Sequence, residues 1–153
     1  MTPIDPLQTS FWLACDAMIW RHCAPWELDE ALVAWGYAIG PCEAQDLVGL
    51  DRVLSARAGA GSPVLPRMVA EGRLGKAAGW GFYRYPGGGG AVIDPLIDDL
   101  VREEAHFAKV DRDDLEGAAL VDALHRAVGP VVCAAGARAA SLLHLPEARL
   151  ALI

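Results

Sequence analysis

Positive charge is scarce in this sequence. Thirteen lysines and arginines stand against 20 aspartates and glutamates in 153 residues, for a formal net charge of −7. This balance argues against a nucleic-acid partner, which would normally show itself as a basic patch, and gives no support to a membrane-surface protein. The longest apolar stretch, residues 127–137, is too short to span a bilayer. The first residues form neither a basic nor an apolar leader, which predicts a cytoplasmic protein without a signal peptide.

Cysteine pairs and metal-ligand patterns are also missing. The cysteines form no CxxC motif, so we predict buried, reduced thiols at Cys15, Cys23, Cys42 and Cys133. The histidines have neither metal-ligand spacing with these cysteines nor a nearby carboxylate at a catalytic spacing. We therefore expect no metal site, and we predict helix-end or surface positions for His22, His106, His125 and His144.

A dinucleotide-binding loop is absent as well. Such a loop carries G-x-G-x-x-G between the first strand and the helix of a βαβ unit. The glycines at 87–90 instead follow an aromatic segment and lead to Asp94 and Pro95 without a second parallel strand. We predict a Gly-rich surface loop over residues 87–93 and no cofactor site in this chain.

Helical patterns dominate what the sequence does contain. Apolar residues at helical spacing predict one helix over residues 6–22, and proline at a first-turn position predicts a second from Pro25 to Gly36. A third helix is expected from Pro41 to about residue 58, and a short one over residues 64–71.

The last third of the chain is predicted to be helical too. One helix follows Asp94 to about residue 107, and Asp113 or Asp114 can cap a long one. Gly129 and Pro130 should kink that long helix or split it in two. Pro146 is expected to open a last helix.

The aromatic run over residues 79–85 is the good strand candidate. Phe82, Tyr83 and Tyr85 alternate as strand residues do, which predicts one packed face and one exposed face.

The chain also repeats itself weakly at an offset of 120 residues. Glu27 pairs with Glu147, and Leu32 with Leu152. Two tandem helical repeats or chance similarity between amphipathic segments would both explain this pattern.

Two blocks of the sequence resemble the C-terminal helical domain of the 3-hydroxyacyl-CoA dehydrogenases. The first is LDEAL at residues 28–32 followed by GYAIGPCEAQDLVGLD at residues 36–51. The second is PVL at residues 63–65 followed by MVAEGRLGK at residues 68–76 and GWGFYRY at residues 79–85. The resemblance implies an all-α helical bundle like the C-terminal domain of 6-phosphogluconate dehydrogenase, with a short extended aromatic segment. It implies a domain over residues 1–86, and a second, degenerate or truncated helical repeat over residues 94–153.

The resemblance also implies a function. In the family this domain forms one wall of the acyl-CoA cleft and the dimer interface of an NAD-dependent enzyme of fatty-acid β-oxidation. NAD and the catalytic His–Glu pair belong to a nucleotide-binding domain that no segment here resembles, so we expect no catalytic residue in this chain. The expected partners are a second copy or such an NAD-binding domain, with acyl-CoA as ligand. A degenerate, non-catalytic module for interaction or for holding acyl-CoA is the alternative.

One position corresponds to a family active-site residue. Aligning back from Leu28 without gaps places Asp5 where the family has an asparagine, so Asp5 is the candidate substrate-binding residue. An ionised aspartate cannot donate a hydrogen bond as an asparagine amide can. Pro6 and Ala14 also replace the arginine and glutamate of the family pattern, which puts substrate binding in doubt.

The remaining motif residues are expected to serve structure: Gly40, Pro41, Asp46, Gly75, Lys76, Gly79, Gly81, Phe82 and Tyr83. Gly40 and Pro41 would restart a helix tightly. Two interpretations are open for Asp46. It is either a solvated carboxylate on a helix surface or a partner for a backbone amide or for Lys76.

Overall fold

The computed structural model of the protein describes residues 2–153, which form a helical bundle with a two-stranded hairpin. The predicted all-α fold class is confirmed. Short 3₁₀ segments occupy Lys76–Ala78, Pro86–Gly88 and Glu147–Leu152. The α-helices and strands, in chain order, are α1 (Pro6–Arg21), α2 (Pro25–Trp35), α3 (Pro41–Val48), α4 (Leu50–Ala56), α5 (Val64–Ala70), β1 (Tyr83–Arg84), β2 (Val92–Ile93), α6 (Pro95–Phe107), α7 (Gly117–Ala135) and α8 (Ala137–Leu142).

Proline begins α1, α2, α3 and α6. Its fixed φ suits a helix start, and its missing N–H would have had no partner in the first turn. Aspartates complete two of these starts, because Asp5 accepts a hydrogen bond from the Leu7 amide and Asp94 accepts one from the Leu96 amide. Local chemistry therefore sets these helix boundaries.

The predicted third helix is wrong in one respect, because it breaks at Gly49 into α3 and α4. Gly49 has a φ of 108°, which side-chain-bearing residues rarely adopt. The break leaves the Leu50 amide free to donate to the Leu74 carbonyl at 2.9 Å. A contact with a distant segment thus ends the helix.

Helix α7 packs against both α1 and α2. Its inward side chains, Leu124 and Val132, belong to the same core cluster as Phe11 and Leu28. Residues from the two proposed repeats therefore share one hydrophobic core.

The start of α7 differs from the prediction. The residue before the helix is Glu116, so neither Asp113 nor Asp114 caps it. The Asp113 amide instead donates to the Arg21 carbonyl at the end of α1, at 3.0 Å.

Of the two outcomes expected at Gly129 and Pro130, a kink or a split of the helix, the split is wrong. The helix continues through Pro130, which lies on its exposed side, and ends before Gly136, where φ is 58°. The carbonyl that Pro130 leaves without a helix partner belongs to the exposed Arg126 and can meet solvent.

Two further features depart from expectation in the last third of the chain. Pro146 opens a 3₁₀ segment rather than an α-helix. Helix α7 is, by length and composition alone, apolar enough to cross a membrane, which the shorter stretch at 127–137 did not indicate. Core helices pass the same test, and Leu120 and Leu124 on α7 are fully buried.

Candidate functional site

The aromatic segment forms the first strand of a hairpin. Strand β1 pairs antiparallel with β2, so that Tyr83 faces Ile93 and Arg84 faces Val92. The predicted Gly-rich loop over residues 87–93 therefore contains a short strand at its end. The expected exposed aromatic face is also wrong, because the buried aromatic side chains include Phe82, Tyr83 and Tyr85.

Asp46 on α3 holds this hairpin in place. Its carboxylate is buried and accepts hydrogen bonds from the Phe82 amide at 2.9 Å, the Tyr83 amide at 3.0 Å and the Tyr85 hydroxyl at 2.7 Å. The solvated helix-surface interpretation of Asp46 is therefore wrong. Asp46 is a partner for backbone amides, reached from a different segment of the chain.

Asp29 on α2 plays a parallel part at the start of α3. Its buried carboxylate accepts from the amides of Cys42 and Glu43, at 2.9 and 3.0 Å, and from the Tyr83 hydroxyl at 2.7 Å. The first amides of a helix have no partner within it, so Asp29 supplies one from a neighbouring helix. Asp29, Asp46, Tyr83 and Tyr85 are called the carboxylate cluster below.

Three motif glycines make room for this cluster. A side chain at Gly40 would collide with the Asp29 carboxylate, and one at Gly81 with the Asp46 carboxylate. At Gly75 it would collide with the backbone carbonyl of Asp46. Gly40 and Gly81 are thus explained by the two buried carboxylates, and Gly75 by the close approach of the Asp46 backbone.

Burial raises the pKa of both Asp29 and Asp46 to about 6, against the lowering effect of the hydrogen bonds that they accept. Burial, together with the nearby carboxylates, also raises the pKa of Tyr83 and Tyr85. The two hydroxyls therefore remain protonated and donate to the carboxylates. All four groups are used inside the fold, so the carboxylate cluster is a structural feature rather than an open reaction site.

Lys76 and Gly79 lie beside the carboxylate cluster without joining it. The Lys76 ammonium lies 5.9 Å from the centre of the Tyr85 ring and does not pair with Asp46. Gly79 has a φ of 87° and accepts a hydrogen bond from the Tyr85 amide through its carbonyl. Its role is to turn the backbone into β1.

A buried ion pair lies at the open end of the hairpin, away from the glycine turn. The Arg73 guanidinium donates to Asp94 at 3.0 Å and to the Gly81 carbonyl at 3.2 Å, and it lies over the Trp80 ring. Both charged side chains are 4% exposed. Since Asp94 also caps α6, this pair connects the hairpin to the last third of the chain.

A cavity of about 350 Å³ lies at the N-terminal end of α1 and is called the α1 cavity. Its walls come from residues 2–5, α1, α3, α4 and the end of α8. The apolar lining includes Ile4, Trp12, Ile39, Leu47, Val48 and Leu142. The polar side chains of the lining include Asp5, Gln8, Arg52 and His144.

Gln8 ties two of these walls together. With its amide oriented to satisfy both neighbours, it donates to the Leu142 carbonyl at 2.7 Å and accepts from the Trp12 indole nitrogen at 2.8 Å. Trp12 is thereby held in the cavity wall, and α1 is joined to the end of α8.

Asp5, the candidate substrate-binding residue, lies at this cavity. One carboxylate oxygen accepts from the Leu7 amide at 2.8 Å, and the other accepts from the Arg138 guanidinium at 2.6 Å. The Leu7 amide and then Arg138 lower the pKa of the Asp5 carboxyl. Asp5 is thus an ionised helix cap whose two oxygens are both engaged within the chain.

Residues 7–85, about half of the chain, match the family model of the 3-hydroxyacyl-CoA dehydrogenase C-terminal domain. The chain belongs to the 3-hydroxyacyl-CoA dehydrogenase family. The matched range contains the whole carboxylate cluster and the glycines that surround it. The resemblance stated from the sequence is therefore confirmed.

Similar proteins place this dehydrogenase domain in longer chains. A probable 3-hydroxyacyl-CoA dehydrogenase from Caenorhabditis elegans is 37% identical over 71 residues, covering 39% of this chain and 24% of the relative. A peroxisomal fatty acid β-oxidation multifunctional protein from Oryza sativa subsp. japonica is 32% identical over 91 residues, covering 54% of this chain and 12% of the relative. The chain thus spans a quarter or less of these curated relatives.

A solved structure shows a similar fold over most of the chain. The dehydrogenase part of multifunctional enzyme 1 from C. elegans superposes with a TM-score of 0.66 at 18% identity, covering 88% of this chain and 31% of that one. The helical arrangement of this dehydrogenase domain is therefore shared well beyond the residues that match the family model.

Two predictions about single side chains are wrong. His125 is buried rather than at a surface, with its Nε2 atom 3.0 Å from the Tyr37 hydroxyl and its ring packed on Trp35. Cys133 is exposed, whereas Cys15, Cys23 and Cys42 are buried as expected.

Several residues that shape the carboxylate cluster or the α1 cavity were not identified from the sequence. Asp29 had a signal, since a carboxylate on the buried side of α2, between Leu28 and Leu32, needs a partner. Trp12 and Gln8 carried no signal beyond their helical spacing. Arg138 lies 133 positions from Asp5, and nothing local links the two.

Proposed function

We propose that this chain is the C-terminal, substrate-cleft part of an NAD-dependent 3-hydroxyacyl-CoA dehydrogenase of fatty-acid oxidation, acting in the cytoplasm with an NAD-binding domain. The observation that carries the proposal is the α1 cavity, an apolar cavity beside the position that aligns with the family's active-site asparagine. In this proposal, the chain binds and shields the acyl group. The partner domain supplies NAD and the catalytic base.

NAD does not fit the residues described here. A dinucleotide binds at the carboxyl ends of parallel strands, next to a helix N-terminus. Residues 2–153 form one two-stranded sheet, and its strands are antiparallel. The proposal therefore assigns NAD, which accepts the hydride from the 3-hydroxyl carbon, to the other domain.

The α1 cavity supports binding of an acyl group. Its apolar side chains would remove methylene groups from water, which stabilises the complex by about 0.8 kcal/mol per buried methylene. Trp12 is held rigidly by Gln8, so little ordering of the wall is needed on binding. Asp5, with both oxygens engaged, would fix the start of α1 rather than exchange protons.

The test is a complementation assay with a separately produced NAD-binding domain from a family member. The full chain, that domain, NAD and a 3-hydroxyacyl-CoA are mixed, and NADH formation is followed by absorbance. We expect activity only when both proteins are present. An inactive mixture, with no binding of acyl-CoA to the chain in calorimetry, would overturn the proposal.

Two matched variants sharpen the assay. Leu47 lines the α1 cavity and is 54% exposed, whereas Val33 lies on α2 outside that lining and is 47% exposed. Leu47→Arg should weaken acyl-CoA binding, and Val33→Arg should not. Equal effects of both substitutions would show that the cavity is not the acyl site.

A non-catalytic module that holds acyl-CoA is the second candidate. The engagement of both Asp5 oxygens within the chain favours it, together with Pro6 and Ala14 at positions where the family has other residues. This candidate predicts that the chain binds acyl-CoA while the mixture with an NAD-binding domain stays inactive.

Self-association is part of the proposal. Exposed large apolar side chains, among them Leu96, Phe107 and Val131, are the kind that a second copy could cover. Sedimentation equilibrium should show a dimer, and a monomer at high concentration would remove this part.

A further inference from the structure

The ion pair between Asp5 and Arg138 joins the two ends of the chain at the α1 cavity. Asp5 precedes α1, and Arg138 lies on α8. Their charged atoms are 2.6 Å apart, the shortest contact of the two carboxylate oxygens of Asp5. The position that carries a neutral amide in the family pattern thus carries a carboxylate with a guanidinium beside it.

A carboxylate at this position has an electrostatic consequence. The lining of the α1 cavity includes the Asp5 side chain, which is about one-third exposed. An unpaired negative charge there would repel a ligand whose head group is anionic and would offset the charge of Arg52, which lines the same cavity. Arg138, which is 57% exposed, cancels that charge without entering the cavity lining.

We propose that Arg138 is a positioning and charge-compensating residue for the α1 cavity, which allows Asp5 to stand where a neutral side chain would otherwise be needed for an acyl-CoA, whose phosphates are anionic. The inference rests on the proposed function, because it concerns the same cavity. It adds a residue outside the family-matched range of 7–85, and therefore a role for the last third of the chain.

The test is a double-mutant cycle on ligand affinity, measured by calorimetry on the full chain. Acyl-CoA, with its phosphates, is the charged probe, and the matching acyl-pantetheine, which lacks phosphates, is the neutral probe. Arg138→Ala should weaken binding of acyl-CoA by about threefold at low ionic strength. It should leave binding of acyl-pantetheine unchanged.

Rescue separates charge compensation from a structural contribution. Asp5→Asn in the Arg138→Ala background should restore the affinity for acyl-CoA, because it removes the uncompensated charge and keeps the helix cap. Arg138→Lys should retain most of the affinity. The effect of Arg138→Ala should shrink as salt is added, since the interaction is between exposed charges.

Arg126→Ala provides the control for net charge. Arg126 is an exposed arginine on α7 that is not part of the α1 cavity lining. Arg126→Ala therefore changes the net charge of the chain by the same amount as Arg138→Ala. It should leave the affinity for acyl-CoA unchanged, and circular dichroism should show that all variants fold.

The outcomes are distinguishable. If wild type binds both probes and Arg138→Ala binds acyl-CoA as tightly as wild type, or Asp5→Asn gives no rescue, the inference about Arg138 is wrong and the proposed function stands. If wild type binds neither probe, the proposed function fails, and the inference fails with it.

Discussion

The carboxylate cluster and the α1 cavity each depend on an aspartate, and the two aspartates differ in burial and in partners. Asp46 is 1% exposed and accepts three hydrogen bonds from the hairpin, whereas Asp5 is about one-third exposed and accepts one from a backbone amide and one from Arg138. Asp46 lies inside the range that matches the family model, residues 7–85, and Asp5 lies outside it. The buried aspartate therefore maintains the fold, and the exposed aspartate caps one helix and pairs with one arginine.

The largest effect is expected at the buried aspartate. Asp46→Ala leaves two backbone amides and the Tyr85 hydroxyl without their acceptor in a buried site. We expect a loss of about 3–5 kcal/mol in the free energy of unfolding. Asp99→Ala, at an exposed position on α6, is the control and should cost less than about 0.5 kcal/mol. If chemical denaturation gave similar losses in the free energy of unfolding for both variants, the expectation would be wrong.

Gly81 and Gly79 are needed for different reasons: there is no room for a side chain at Gly81, and the backbone at Gly79 has a positive φ. A side chain at Gly81 would collide with the Asp46 carboxylate and approach the Gly75 Cα atom at 2.8 Å. Gly79 has open space around it but a φ of 87°. Gly81→Ala should cost about 3 kcal/mol through the forced shift, and Gly79→Ala about 1 kcal/mol through the backbone alone.

A double mutant tests the cause assigned to Gly81. If the collision with Asp46 is responsible, the costs of Gly81→Ala and Asp46→Ala should not add, since removing the carboxylate removes part of the clash. Additive losses in chemical denaturation would place the strain elsewhere.

The cluster should also make stability depend on pH. Burial raises the pKa of the Asp46 carboxyl in the folded state from its ordinary value of 3.8 to about 6. Between these values the folded state binds more protons than the unfolded state, so this group's contribution to stability rises as the pH falls from 7 to 5. Wild type should therefore gain stability relative to Asp46→Asn on acidification, and carboxyl carbon NMR should show titration near pH 6 for Asp46 and Asp29. A wild-type advantage that shrinks on acidification would contradict the shift.

Much of the helical fold could be predicted because its signals are local. Proline fixes a helix start through its own ring, and Gly36 ends α2 because its φ of 143° suits glycine. The break at Gly49 depends on a hydrogen bond from the Leu50 amide to the Leu74 carbonyl, and strand β2 depends on its pairing with Tyr83. Neither Leu74 nor Tyr83 can be identified as a partner from the local sequence around Gly49 or β2.

The candidate site was predictable only in part, for the same reason. Alignment located Asp5, but its partner Arg138 comes from the opposite end of the chain. The burial of Asp46 follows from tertiary packing of the hairpin, since a carboxylate on a helix is usually exposed. Burial of His125 likewise depends on Trp35 and Tyr37, which come from the first third of the chain.

The smallest effect is expected at Asp5, and its direction separates capping from ion pairing. Asp5→Asn keeps a side-chain oxygen that can accept from the Leu7 amide and gives up the charge that pairs with Arg138. Asparagine and aspartate cap helices equally well, and exposed ion pairs contribute little, so the unfolding midpoint of Asp5→Asn should match that of wild type. Asp5→Ala removes both interactions and should lower the midpoint, because α1 then begins without a side-chain cap. Thermal unfolding of the three proteins in the same buffer makes the comparison. If Asp5→Asn were as unstable as Asp5→Ala, the ion pair with Arg138 would be the main structural role of Asp5. The charge of the exposed Asp5 would then stabilise the fold, contrary to the expectation for an exposed ion pair.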